Sequence, residues 1–267
     1  GQRSSLHSNT PAPDNGETPE VISMELTMAK IHSWERAAIG ASLGILTALA
    51  WAYMAMPMTM AAGSGLSFLG LGTVMWMVMM AAMMLPGAAP MIMTYIRVHQ
   101  RRRQLEKAAV PTWFFMAGYL AVWAAFGAVA AVAQWALHAN TLMTSAMGHL
   151  EPLLGSCLLV VAGAFQFSSL KQACLSRCQS PITFLMTEWR DGAIGAFTMG
   201  ARHGAFCTGC CWALMLLMFV GGVMNLAWMA VLALYFLAEK LVAWPQTFSR
   251  ITGAALMVGG LLVGTLY

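Results

Sequence analysis

Long apolar runs constrain this chain more than any other feature. Seven of them, near residues 37–57, 71–96, 112–137, 151–169, 203–221, 223–244 and 251–267, reach or approach the roughly 20 helical residues that cross a hydrocarbon layer. The last is the shortest. Charged residues make up only 9% of the chain and hydrophobic ones 59%, whereas a water-soluble domain carries about a quarter charged residues. Ala, Leu, Met and Gly dominate the runs without the alternation of a barrel strand, so the spans are expected to be helices. The fold class that follows is all-α, a polytopic transmembrane helix bundle of about seven spans with one short interfacial helix. Residues 1–34, with Pro11, Pro13 and Pro19 among Ser and Asn, read as a disordered or loosely attached tail with no signal-peptide pattern, and 35–267 as the bundle domain. Pro57, Pro86, Pro90 and Pro245 stand near span ends, where they are expected to stop or kink a helix.

Basic residues orient the bundle. With seven spans, all 14 Lys and Arg fall on one side: Arg3, Lys30 and Arg36, then the Arg97 to Lys107 group, then Lys171, Arg177, Arg190 and Arg202, and finally Lys240 and Arg250. The opposite loops near 58–70, 138–150 and 221–223 hold none. The positive-inside rule then predicts a cytoplasmic N-terminus and an outer C-terminus. Arg101, Arg102 and Arg103 read as a topology signal that also meets anionic lipid, and nucleic acid is not expected as a partner. On the same side the longest connection, 170–202, carries Trp189 among charged neighbours, the mark of a short helix in the interface.

Against that apolar background the stretch RHGAFCTGCCWALMLLMFV, residues 202–220, stands out. Helical spacing places His203, Cys207, Cys210 and Cys211 within an arc of roughly 100°, with Met218 in the same arc. Cys174 and Cys178, four residues apart in the connection, share a face if that stretch is helical. Folded back over the fifth span, they would bring five of the six cysteines to one cytoplasmic membrane boundary, leaving Cys157 alone. Cytosolic thiols stay reduced, which disfavours a disulfide framework and favours a soft metal ion or redox chemistry. Thiolate, imidazole and thioether together suit Cu(I) first and Zn(II) second. Cysteine as a small apolar filler is the plainer reading, and it suffices for Cys157.

Two further groups bear on the same site. Met75, Met77, Met79, Met80, Met83 and Met84 spread over about 200° of the second span, too wide for one lined path, so most are expected to pack; Met75, Met79 and Met83 form the only stripe narrow enough to line one. Glu239 and Lys240 lie inside the sixth run, where ionisable groups are functional candidates by default. Either Glu239 orients His203 as a carboxylate behind a ligand, or Lys240 snorkels to the headgroups while Glu239 pairs with it or with Arg202. His99, His138 and His149 read as interface or loop residues. No Ser-His-Asp constellation, phosphate-cradling loop or H-E-x-x-H motif appears, which leaves hydrolase and nucleotide-driven pump chemistry without support.

The strings MWMVMMAAMMLPGAAPM, LKQACLSRCQSP, GARHGAFCTGCCWALMLLMFVGGVMNLAWM and AEKL, in that order, resemble an uncharacterised bacterial family of predicted metal-binding integral membrane proteins over residues 35–267. The resemblance implies that Cys174, Cys178, His203, Cys207, Cys210, Cys211 and Glu239 belong to the family's shared pattern. Residues and resemblance together predict a bacterial inner-membrane protein that holds a soft metal, copper as Cu(I) before zinc, at a cytoplasmic-side cluster of Cys174, Cys178, His203, Cys207, Cys210 and Cys211. Glu239, Met75, Met79, Met83 and Met218 are expected around it or along a path to it. Metal handling or delivery to a metalloenzyme is the role, with the lipid bilayer and other membrane subunits as further partners. The alternatives are a structural or accessory subunit of a larger membrane complex, and a membrane thiol oxidoreductase exchanging the Cys174/Cys178 and Cys207/Cys210 pairs.

Overall fold

The computed structural model describes residues 19–55, 66–104, 111–143 and 150–266. Most of the expected tail, Pro57, the greater part of the 58–70 loop, Lys107 and His149 lie outside the described residues. Two units divide the chain, residues 1–39 and 40–267. The first contributes the opening half of α1 (Pro19–Ala55), and the second holds everything else described. Helices follow as α2 (Leu66–Gln104), α3 (Thr112–Ala139), α4 (Pro152–Phe165), α5 (Ser169–Gln179), α6 (Pro181–Glu188), α7 (Gly192–Met215), α8 (Met218–Gly221), α9 (Leu226–Leu241) and α10 (Pro245–Leu266). Apart from an isolated bridge between Met143 and Leu150, no β-structure occurs among the described residues, and the protein is all-α.

Five described segments are long and apolar enough to cross a membrane: Ala37–Ala55, Leu69–Arg102, Thr112–Ala139, Gly192–Gly221 and Pro245–Leu266. A sixth exists if α4 and α5 count together, although they bend by 66° at Gln166–Ser168. The expected seven is therefore not reached among the described residues. The 16 residues of α9 extend about 24 Å, short of the ~30 Å hydrocarbon layer. The fourth apolar run ends early because polar Gln166 and Ser168 break it, and the Ser168 hydroxyl caps the next helix by accepting from the Lys171 N–H at 3.1 Å.

A second correction concerns the 170–202 connection. Its first part is α5, its middle is α6 with Trp189 just past its end, and its last part is already α7. Asp191 and a Gly192 with φ of +83° begin α7 eleven residues before His203, because Ala193, Ile194, Ala196, Phe197 and Met199 are apolar enough to enter a span. His203 and the thiols consequently sit near the middle of the Gly192–Gly221 segment instead of at its mouth.

Pro86 and Pro90 do not stop α2, which runs through both. A proline at 86 has no N–H to give the Ala82 carbonyl four residues earlier. The indole of Trp51 on α1 replaces it, donating Nε1–H to Ala82 O at 3.2 Å. Pro245, by contrast, opens α10, where a missing N–H costs nothing.

Packing joins these helices through small residues and a few polar contacts. At the crossing of α3 and α7, a Cβ on Gly118 would collide with the Phe197 carbonyl and one on Gly200 with the Phe115 carbonyl. Only hydrogen fits there, and the two backbones touch, as membrane bundles permit. Trp76 of α2, fully buried, donates to Gln134 Oε1 of α3 at 2.6 Å. Met75, Met79, Met80, Met83 and Met84 are all buried in the same core, while Met77 faces outward. Ile45, Leu46 and Leu49 on α1 and Leu261 and Leu262 on α10 are exposed, the surface a lipid-facing helix presents.

Replacing Gly200 with valine is expected to destabilise the bundle by at least ~1–3 kcal/mol, the usual cost of overpacking. The same change at Gly259, with nothing within 4 Å of the added carbon, is expected to leave thermal unfolding in detergent close to wild type.

Candidate metal centre

Cysteine thiols from two helices meet in the interior. Cys207, Cys210 and Cys211 on α7 are each no more than 1% exposed, and Cys174 on α5 is buried as well. Cys178, one turn beyond Cys174 on the same helix and half-buried, shares its electrostatic surroundings with Cys207 and Cys210. The α5 helix can lie this close because α7 carries glycine where they cross: a Cβ at Gly209 would stand 2.8 Å from Cys174 Sγ. Arg177 adds a guanidinium 6.0 Å from the Phe206 ring across the same contact. All six cysteines are free thiols, and Cys157 is exposed on α4, apart from the rest.

The three α7 thiols are not equivalent. Cys210 and Cys211 each donate S–H to the Cys207 carbonyl, at 3.0 and 2.9 Å. Cys207 Sγ instead faces groups from other helices: the Tyr119 hydroxyl of α3 at 3.4 Å and the Lys240 ammonium of α9 at 3.1 Å. Tyr119 also donates to Met84 O at 3.2 Å, which ties the methionine-rich helix to the sulfur through its backbone. Among the described residues, no group of three or more His, Cys, Asp or Glu side chains is disposed as it stands to hold a metal ion.

His203 is buried at 2% exposure inside an aromatic box, stacked on Tyr119 and Phe115 with Phe184 edge-on, and neither ring nitrogen has a partner. A buried imidazole with both nitrogens orphaned costs free energy, so the pair of orphans fits a site completed by a ligand.

Glu239 does not reach His203. Its carboxylate, buried at 1% exposure, takes an ion pair from Lys171 at 2.7 Å and hydrogen bonds from Ser249 at 2.6 Å and Tyr235 at 3.0 Å. Gln179 of α5 reinforces the junction by donating to the Glu239 carbonyl at 2.8 Å. Lys240 points into the thiols instead of rising to headgroups, and Arg202 pairs with Glu188. Lys171, read as a surface topology residue, is wholly buried. Of the remaining expected residues, Met75, Met79 and Met83 are packed in the core of α2, and Met218 is buried in α8, beyond the break at Leu216–Leu217 that ends the predicted arc.

Tyr119, Lys171 and Lys240 are the residues that sequence reasoning passed over or assigned elsewhere. An ionisable side chain within an apolar run was the available signal for Lys240. For Tyr119 there was none, since its role depends on α3 crossing α7.

This architecture defines an all-helical class of protein in which several helices are long and apolar enough to cross a membrane and free thiols from two helices are buried together. The model of the PpoB2 family, described as copper chaperone, matches residues 73–263, and the chain belongs to that family. No curated protein and no solved structure matches the chain. Copper handling in general is the family's description, and the thiol chemistry of the pocket agrees with it.

Breaking the Lys171–Glu239 pair with Lys171→Met or Glu239→Leu is expected to cost ~3–5 kcal/mol, because each single change strands a buried charge. The double variant is expected to recover most of that loss in detergent unfolding.

Proposed function

We propose that the protein receives Cu(I) at the pocket where Cys178 meets Cys207 and Cys210, and passes it to a metalloenzyme at the membrane. The close approach of α5 to α7, where a Cβ at Gly209 would stand 2.8 Å from Cys174 Sγ and Cys178 follows one turn on, is the observation that carries this reading. Cys174, Cys211 and His203 complete the soft-donor neighbourhood, and the orphaned imidazole of His203 is the ligand held in reserve. Copper is the cargo here. Thiolates take Cu(I) readily and hold it in few-coordinate sites, which suits a carrier that must later release it. Zinc, the second candidate, prefers a closed tetrahedron of ligands, and no such group is arranged among the described residues.

We place the protein in a bacterial inner membrane with the basic side cytoplasmic. The Arg102–Asp191 ion pair, 2.6 Å long, supports putting the basic end of α2 and the start of α7 at the same face. The thiol pocket then lies deeper than that face, so copper must enter between helices or along α5. Buried charges and free thiols inside a dry bundle support a specific cargo site over simple filler.

Purification from copper-supplemented cells and measurement of copper per chain tests the proposal. Wild type is expected to retain copper near one atom per chain, and the Cys178→Ser/Cys207→Ser double variant to retain less than about a tenth of that. Equal copper in both, or none in wild type, would remove the cargo role.

A further inference from the structure

The early turns of α7 carry a spacing that the thiol pocket itself does not need. Met199, His203 and Cys207 stand four residues apart in MGARHGAFC, so they follow one another along a single stripe of the helix, each about 6 Å of rise beyond the last. All three are buried. The first of them reaches back to the start of α7, where Met199 Sδ accepts the Arg190 N–H at 3.4 Å. Gly195 permits that contact by letting the connection fold close, since a Cβ there would stand 2.7 Å from the Arg190 carbonyl.

An aromatic wall begins at the same point and runs beside the stripe. Trp189 stacks on Tyr95 with centroids 5.8 Å apart, Tyr95 on Phe115 at 4.8 Å, and Phe115 on His203 at 6.2 Å. Tyr119 ends the wall, its ring 5.6 Å from His203 and its hydroxyl 3.4 Å from Cys207 Sγ. His203, 2% exposed between these rings, has a hydrogen-bond partner at neither nitrogen. A side chain that only filled such a box would be cheaper as phenylalanine, so the unpaired nitrogens point to a ligand that visits.

Resting on the copper reading above, we infer that Met199 and His203 form an entry relay for Cu(I), a thioether followed by an imidazole, which leads the ion from the Arg190 end of α7 to the thiols.

The physical reason is the cost of a bare cation in a dry bundle. From Met199 to Cys207 the helix rises about 12 Å, and His203 divides that distance in two. Thioether and imidazole are both donors that copper accepts, so each hop breaks one metal–donor bond and forms the next while copper stays Cu(I). The Phe115 and Tyr119 rings stacked on the imidazole add faces that attract a passing cation. At the outer end Arg102 is paired with Asp191 and Arg202 with Glu188, so neither stands as an open charge against an arriving one. The relay ends at His203; capture by the thiols belongs to the copper reading.

The full chain in detergent is mixed with Cu(I) bicinchoninate, and the fading of the chromophore gives both the rate of loading and the final copper per chain. His203→Phe is expected to load about tenfold more slowly, or worse, yet to reach the wild-type amount of copper. Met199→Leu is expected to load more slowly as well, whereas Met79→Leu, which changes a buried methionine of α2, keeps the wild-type rate. Wild-type speed in His203→Phe or Met199→Leu, or equal slowing in Met79→Leu, would overturn the relay and leave the copper reading intact. So would copper lost at equilibrium from His203→Phe, because the imidazole would then be a resident ligand. Absence of thiol-dependent Cu(I) binding in wild type would instead sink the copper reading, and the relay with it. X-ray absorption on Cu(I)-loaded wild type needs no substitution: sulfur neighbours alone are expected, and a nitrogen neighbour would refute the relay even if the variants fail to fold.

Discussion

The ion pair between Lys171 and Glu239 is the constraint on which the arrangement of the pocket depends. Both groups are sealed from solvent, and a charge in such a place must find its opposite or the structure does not form. Lys171 sits in the first turn of α5 and Glu239 in the last turns of α9. Closing the pair therefore holds the short helix α5 against α9. Gln179 at the other end of α5 bonds to the Glu239 carbonyl, so the helix is held near both ends. Between those anchors lie Cys174 and Cys178, and the fixed axis of α5 aims them at α7.

Glycine makes the second half of the approach possible. Gly209 leaves room for Cys174, and Gly118 and Gly200 let α3 press onto α7 until Tyr119 reaches Cys207. In a membrane, where apolar surface gains little by turning inward, such close backbone contact and polar pairing take over the work that the hydrophobic effect does in water. The same logic explains how α2 runs through Pro86: the carbonyl it frees is answered by the Trp51 indole from a neighbouring helix.

On the copper reading proposed above, the thiol cluster suits exchange more than permanent retention. Thiols arrive on two separate helices, Cys210 and Cys211 hold alternative hydrogen bonds to a carbonyl, and His203 waits unpartnered in its aromatic box. A structural zinc site closes four ligands around the ion; here the sulfurs are close but not preassembled. Membership in a copper chaperone family accords with that looseness, since a carrier must let go of what it binds.

Much of this was legible in the residues. Apolar runs with almost no charge dictate helices in a membrane, because only helices and closed barrels satisfy a backbone there. Spacing alone put His203, Cys207, Cys210 and Cys211 on one face, and the CxxxC segment marked the second source of thiols. Depth and partnership were decided only by the tertiary structure. Residues 192–202 look like a loop by charge at their flanks, yet they extend α7 and carry the thiols toward mid-span. Lys171 and Lys240 look like topology markers, yet one closes on Glu239 and the other on Cys207, because an ionisable group near a membrane boundary goes to whichever opposite charge or soft anion the helix packing brings within reach. A sequence states which groups need partners; the crossing of helices far apart in the chain selects the partner.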